Sequence, residues 1–192
     1  YRGGEYDYLL NSNRQMDLLH KRFIVFELDN ISENRTLLPV VTIIIMETFL
    51  AKMRRLQGVR KVLLLEEAWK AIAKEGMASY VRYLFKTVRK YFGEAIVVTQ
   101  EVEDIISSPI VKESIINNAD CKILLDQRKY RNKFDQIQTL LGLTDKERAQ
   151  VLSINLSNDP ARRYKEVFIS LGGVQSAVYA TEVSDEEYLV RP

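Results

Sequence analysis

Four short apolar runs, separated by stretches with helical spacing, constrain this chain more than any other feature. Phe23-Ile24-Val25-Phe26-Glu27-Leu28 ends in Asp29-Asn30, and Val62-Leu63-Leu64-Leu65 ends in Glu66-Glu67. Ala95-Ile96-Val97-Val98 ends in Thr99-Gln100, and Lys122-Ile123-Leu124-Leu125 ends in Asp126. Runs this short and continuous read as strands buried on both faces. Between them, Thr36 to Leu56 is long enough for a helix, with Pro39 tolerated only in its first turn. From Trp69 to Phe92 the apolar residues recur at three and four, the spacing of one helical face, and Gly93 reads as the stop. A shorter helical pair spans Val102 to Asn118, interrupted by Pro109. Strands alternating with helices predict an α/β fold, a mostly parallel sheet flanked by helices, over about residues 22 to 128. Beyond it, Lys133 to Gly142 and Thr144 to Leu152 read as short helices. Lys165 to Leu171 and Val174 to Thr181, joined at Gly172-Gly173, read as a C-terminal β-hairpin with a two-residue turn. Residues 1–21, polar and rich in tyrosine, read as an N-terminal arm, docked or poorly ordered.

Composition narrows the chemistry. With 192 residues, 46% apolar and 28% charged, the chain can bury one ordinary core. One cysteine, Cys121, excludes a disulfide framework and a CxxC zinc site, and one histidine, His20, with no second soft ligand nearby, argues against a histidine-based metal centre. Cys121 opens an apolar strand and reads as a small core residue; His20, beside Lys21-Arg22, reads as a surface residue. The longest uncharged apolar stretch, Thr36 to Met46, is too short to cross a bilayer, so no transmembrane segment is expected. The net charge of +2 hides a clustering, because eleven Lys and Arg residues between Lys52 and Lys90 face only Glu66, Glu67 and Glu75. That cluster reads as a solvated face, as a basic edge meeting an acidic neighbour in a ring, or as a DNA-tracking surface.

The strand ends carry the chemistry. In open α/β sheets ligands bind beyond the carboxyl ends of the strands, where Glu66 and Glu67 would project. There, one carboxylate can hold Mg²⁺ through its water shell while the next polarises an attacking water in phosphoryl transfer. An acidic turn capping the following helix explains the same two residues. One strand later, Gln100 offers a neutral amide that can bond both a γ-phosphate oxygen and a water, although Thr-Gln at a strand end also serves as a helix cap. The two strand ends together fit a nucleotide motor better than either does alone. Trp69 can stack on an adenine, or open the apolar stripe of its helix.

Glu66-Glu67-Ala68-Trp69-Lys70, Val98-Thr99-Gln100 and Lys122-Ile123-Leu124-Leu125-Asp126-Gln127-Arg128 resemble motifs of the TraG-type conjugation ATPases, which belong with the ATPases of type IV secretion systems. The resemblance runs from about Arg22 through the hairpin. It implies a RecA-like P-loop NTPase core, with residues 22–192 as the C-terminal part of the ATPase domain. It further implies that Glu66 is the Walker B acid linked to Mg²⁺, that Glu67 is the catalytic glutamate and that Gln100 is the phosphate sensor. The family's usual first acid is aspartate, so Glu66 departs by one methylene. Arg89 stands where related motors place an arginine that reaches the neighbouring subunit's γ-phosphate, and Arg128 is the competing candidate. A solvated charge explains either arginine equally.

None of the eight glycines sits in GxxxxGK[ST], so the segment that cradles the β- and γ-phosphates is missing. Together with the absence of an initiator methionine, this leads to the expectation that the chain begins after that loop and does not hydrolyse ATP alone. It is also expected to expose an apolar seam or to self-associate. The implied whole is an ATPase that binds ATP and Mg²⁺, forms a homo-oligomeric ring and works with other secretion-machine components. Its expected place is cytoplasmic, at the inner-membrane secretion complex. The alternative is a non-catalytic DNA-binding or structural module of such a complex.

Overall fold

The structure is a computed structural model and describes residues 3–5, 7, 11, 17–66, 75–100, 115–156 and 164–189. Two compact units emerge, one from Tyr1–Tyr80 with Thr87–Val98 and the other from Val81–Lys86 with Thr99–Pro192.

The first unit is built on helix α1, Leu37–Arg55. Asn34 starts it, its Oδ1 accepting from the backbone N–H groups of Thr36 at 3.0 Å and Leu37 at 2.9 Å. Pro39 sits in the first turn, where its missing N–H has no helical partner to lose. One stripe of α1 is buried, including Leu38, Thr42, Met46, Phe49, Leu50 and Met53. Strand β1, Lys61–Glu66, follows; helix α2, Glu75–Thr87, of which Val81–Lys86 belong to the second unit, continues as a 3₁₀ turn, Val88–Tyr91. Strand β2, Gly93–Val98, then pairs with β1 in parallel, in a register from Lys61 opposite Gly93 to Glu66 opposite Val98.

Gly93 does not end the preceding helix by its own backbone. Phe92 takes the left-handed conformation, at φ 55°. Gly93 is needed for space, because a Cβ there would lie 2.7 Å from Val88 Cγ2 and 3.1 Å from Val88 O. The run Phe23 to Leu28 is not a strand, although its composition predicts one. A strand is held by a ladder, and among the described residues none pairs with this segment, which leaves Phe23 86% and Val25 70% exposed.

The second unit holds β3 (Cys121–Leu124), a 3₁₀ turn (Arg128–Lys133), α3 (Phe134–Leu141), α4 (Asp145–Ser153), β4 (Tyr164–Leu171), β5 (Gln175–Glu182) and the short α5 (Asp185–Leu189). The run around Lys122 is expected in the parallel sheet. Instead β3 pairs antiparallel with β4, Cys121 opposite Leu171, in a three-stranded sheet ordered β3-β4-β5. Its alternation turns Leu124 towards a core of Phe134, Ile137, Leu143, Val151, Ile154 and Phe168 and leaves Cys121 and Ile123 outside. Cys121 is therefore exposed rather than a core residue. β4 and β5 are joined by three residues, Gly172, Gly173 and Val174, with Val174 N–H closing on Leu171 O at 2.9 Å. Both glycines have positive φ, which the tight reversal requires.

Candidate functional site

The carboxyl end of the β1–β2 pair is set by what holds its opposite end. Lys61 begins β1 with its side chain buried, and its ammonium donates to Leu56 O at 2.5 Å and Met53 O at 3.4 Å. These are orphan carbonyls at the C-terminus of α1, where a cation also meets the negative end of the helix dipole. Arg60 Nη2 reaches Glu94 Oε2 at 2.5 Å across the two strands, raising the arginine's pKa. Five residues on from Lys61, β1 ends at Glu66, solvent-exposed and level with Val98. Glu67 and Trp69 lie outside the described residues.

Arg89 belongs to the 3₁₀ turn before β2, beyond the amino end of the strand pair. The parallel register puts about 16 Å of strand between that end and Glu66, so the two do not meet within one chain.

Thr99 and Gln100 follow β2 directly. Gln100 is exposed, and its carbonyl accepts a hydrogen bond from Tyr130 Oη at 3.2 Å. Tyr130 belongs to the same 3₁₀ turn as Arg128. Asp126 Oδ1 accepts the Arg128 backbone N–H at 3.0 Å, and the carboxylate also takes the guanidinium side-on, Nε at 2.8 and 2.9 Å and Nη2 at 2.5 Å. Hydrogen bonding to the guanidinium holds the Asp126 carboxyl below the ordinary carboxylate range, and the same bond raises Arg128. The structure thus joins the backbone of Gln100 to the turn that carries Arg128. Sequence reasoning misses Asp126 and Tyr130. The Asp-x-Arg spacing is a usable signal for the first, whereas nothing local marks a tyrosine thirty residues from the carbonyl it touches.

The basic stretch is partly engaged within the chain. Lys52 Nζ donates to the carbonyls of Leu18, Leu19 and Lys21 at 2.5, 2.9 and 2.7 Å, tying that segment to the end of α1. Arg60 and Lys61 are engaged by the chain as well. His20 is on the surface, 2.5 Å from Asp17, and this bond lowers the Asp17 pKa. Among the described residues no group of three or more His, Cys, Asp or Glu could hold a metal ion. No helix among them is long and apolar enough to cross a membrane.

A family model described as the TraG P-loop domain matches residues 1–191. Over 146 residues the chain is 28% identical to the type IV secretion system protein CagE of Helicobacter pylori (strain ATCC 700392 / 26695), covering 75% of this chain and 14% of that protein. Among solved structures, VirB4 of Thermoanaerobacter pseudethanolicus matches with a TM-score of 0.61 at 23% identity, over 86% of this chain and 43% of that one. The latter likeness establishes a VirB4-like α/β fold, and the chain spans less than half of either relative. With a family match running along almost its entire length, the chain belongs to the TraG P-loop domain family.

Proposed function

We propose that this chain supplies the acid and sensor half of an ATP-hydrolysing motor that powers type IV secretion or conjugative transfer, the phosphate loop lying elsewhere in a longer protein. The observation that carries this reading is the parallel register that ends β1 at Glu66 level with Val98, because a RecA-like motor presents its acids at the carboxyl end of neighbouring parallel strands. Family membership and the CagE relative supply the secretion context. The work would be done in a homo-oligomeric ring, on the cytoplasmic side of the inner-membrane secretion complex, with other machine components as partners.

ATP is the substrate. Mg²⁺ suits a single strand-end carboxylate better than an all-protein cage, since it keeps several waters and takes one or two carboxylates. Glu66 would hold it through that water shell, the extra methylene of glutamate being taken up by the exposed position of the side chain. When bound, the metal neutralises charge on the phosphate oxygens. Glu67 accepts the proton of the attacking water and orients it, and the Gln100 amide bonds the γ-phosphate. For the arginine that acts on a neighbouring subunit, Arg128 draws support from a guanidinium fixed by a carboxylate with one edge left for an anion, and Arg89 is the other candidate. The DNA-binding alternative draws less support, because Lys52, Arg60 and Lys61 are engaged by their own chain.

Glu67→Gln in the longer protein tests the reading. It should lower ATP turnover by about 10²-fold or more, the range for loss of a positioned base. A fully active variant overturns the assignment. The 192-residue chain alone should turn over no ATP above background.

A further inference from the structure

We propose that Asp126 and Tyr130 are positioning residues that make the presentation of Arg128 depend on the backbone of Gln100. The inference rests on reading Gln100 as the sensor and Arg128 as the arginine that acts in trans.

A guanidinium carries five N–H groups in a fixed fork. Asp126 occupies the edge formed by Nε and Nη2 and also ties down the Arg128 backbone N–H. The Nη1–Nη2 edge is left, and two parallel N–H groups on that edge match a phosphate bidentately. With its side chain 44% exposed, Arg128 can meet a group from outside its own chain. An exposed ion pair two residues apart adds little to folding. Its effect is instead to order a long side chain before any anion arrives, so that less freedom is lost at the moment of use.

Tyr130 connects this fork to the sensor. Its ring packs against the core cluster of the second unit, and its backbone N–H closes the turn on Gln127 O at 2.9 Å. The Lys129 ammonium stands 4.6 Å from the ring centroid, a cation–π contact that helps to hold the ring in place. The Tyr130 hydroxyl bonds the Gln100 carbonyl, leaving the Gln100 amide for a ligand. A shift of the Gln100 backbone, such as gain or loss of a γ-phosphate contact would cause, therefore pulls on the six-residue turn that holds Arg128. ATP status at one subunit is read out as the aim of an arginine towards the next.

The test uses the longer protein, with kcat and KM for ATP and the melting temperature measured for Arg128→Ala, Asp126→Asn, Tyr130→Phe and the double variant Asp126→Asn/Arg128→Ala. Asp126→Asn should lower kcat about tenfold to a hundredfold with KM and melting temperature unchanged, the loss expected from a slightly misplaced catalytic group. Tyr130→Phe, which keeps the ring in the core, should lower kcat several-fold with the same split. The double variant should be no slower than Arg128→Ala alone. Wild-type kcat in both positioning variants while Arg128→Ala is impaired overturns the coupling and leaves the arginine's role standing, as does an additive loss in the double variant. Wild-type turnover in Arg128→Ala overturns the reading beneath it and this inference together.

Discussion

Glu147 shows how one side chain can secure several segments. It is buried near the start of α4, where its Oε2 accepts from the Thr144 N–H at 2.8 Å and the Thr144 hydroxyl at 3.0 Å, and its Oε1 accepts from the Ser170 hydroxyl at 3.3 Å. Thr144 answers by capping the Glu147 N–H, which completes a capping box. The backbone bond from Thr144 is the main reason the Glu147 carboxyl lies below the ordinary glutamate value of 4.5. A carboxyl whose folded pKa is depressed stabilises the fold fully above its unfolded pKa, and loses that contribution as pH falls through the folded one. Glu147→Ala should therefore cost about 1 to 2 kcal/mol near neutral pH, from loss of the cap and of bonds to buried donors. In urea titrations the gap from the parent chain should narrow steadily below about pH 4.5; a gap independent of pH would refute it. The Thr-x-x-Glu spacing makes the capping box legible in sequence. The bond to Ser170 is not, because it joins residues 23 apart that only the fold brings together. The same holds for Tyr130 and Gln100, whereas Glu66 and Gln100 announce themselves by following apolar runs.

At the scale of elements, the junction between the Val88–Tyr91 turn and β2 is a close backbone approach. Gly93 must pass within van der Waals reach of Val88, whose β-branched side chain has little rotamer freedom to retreat, and Met53 Sδ stands 3.4 Å from the site of an added Cβ. Gly93→Ala should destabilise the chain by about 1 to 3 kcal/mol, the usual range for overpacking, and thermal melting would show it. An unchanged melting temperature would mean that β2 can start further from the turn. This tightness also explains what sequence patterns miss here. Glycine after a helical stripe signals a left-handed stop, but Phe92 adopts that conformation and glycine serves the close approach. The helices are legible because α3 carries its apolar spacing, and α1 and α4 carry their start signals, within a few residues. Strand runs report only that a segment is apolar. They do not report whether a partner exists, as Phe23 to Leu28 demonstrates, nor in which direction it runs, as β3 demonstrates.

On the scale of the chain's association, the outward face of the β1–β2 pair matters most among the described residues. Residues alternate along β1 and β2, so the face bearing Lys61 is buried at its start while Val62, Leu64, Ile96 and Val98 look outward, Val62 at 52% and Leu64 at 55% exposure. Partners in a parallel register share a face, and Leu64 stands opposite Ile96, so these side chains form one contiguous apolar surface. Exposed apolar patches drive association, because burying each aliphatic side chain is worth roughly 1.5 to 3 kcal/mol. The isolated 192-residue chain should therefore self-associate as its concentration rises. Leu64→Glu places a charge at the centre of the face without touching the buried side of β1, so it should shift the chain towards monomer at little cost in stability. Sedimentation velocity over a concentration series distinguishes the outcomes. Concentration-dependent growth of the parent, relieved in Leu64→Glu, locates the contact on this face. A parent chain that stays monomeric at about 100 μM, a concentration at which even modest apolar contacts are populated, rules it out, and growth unaffected by the substitution moves the contact to another surface.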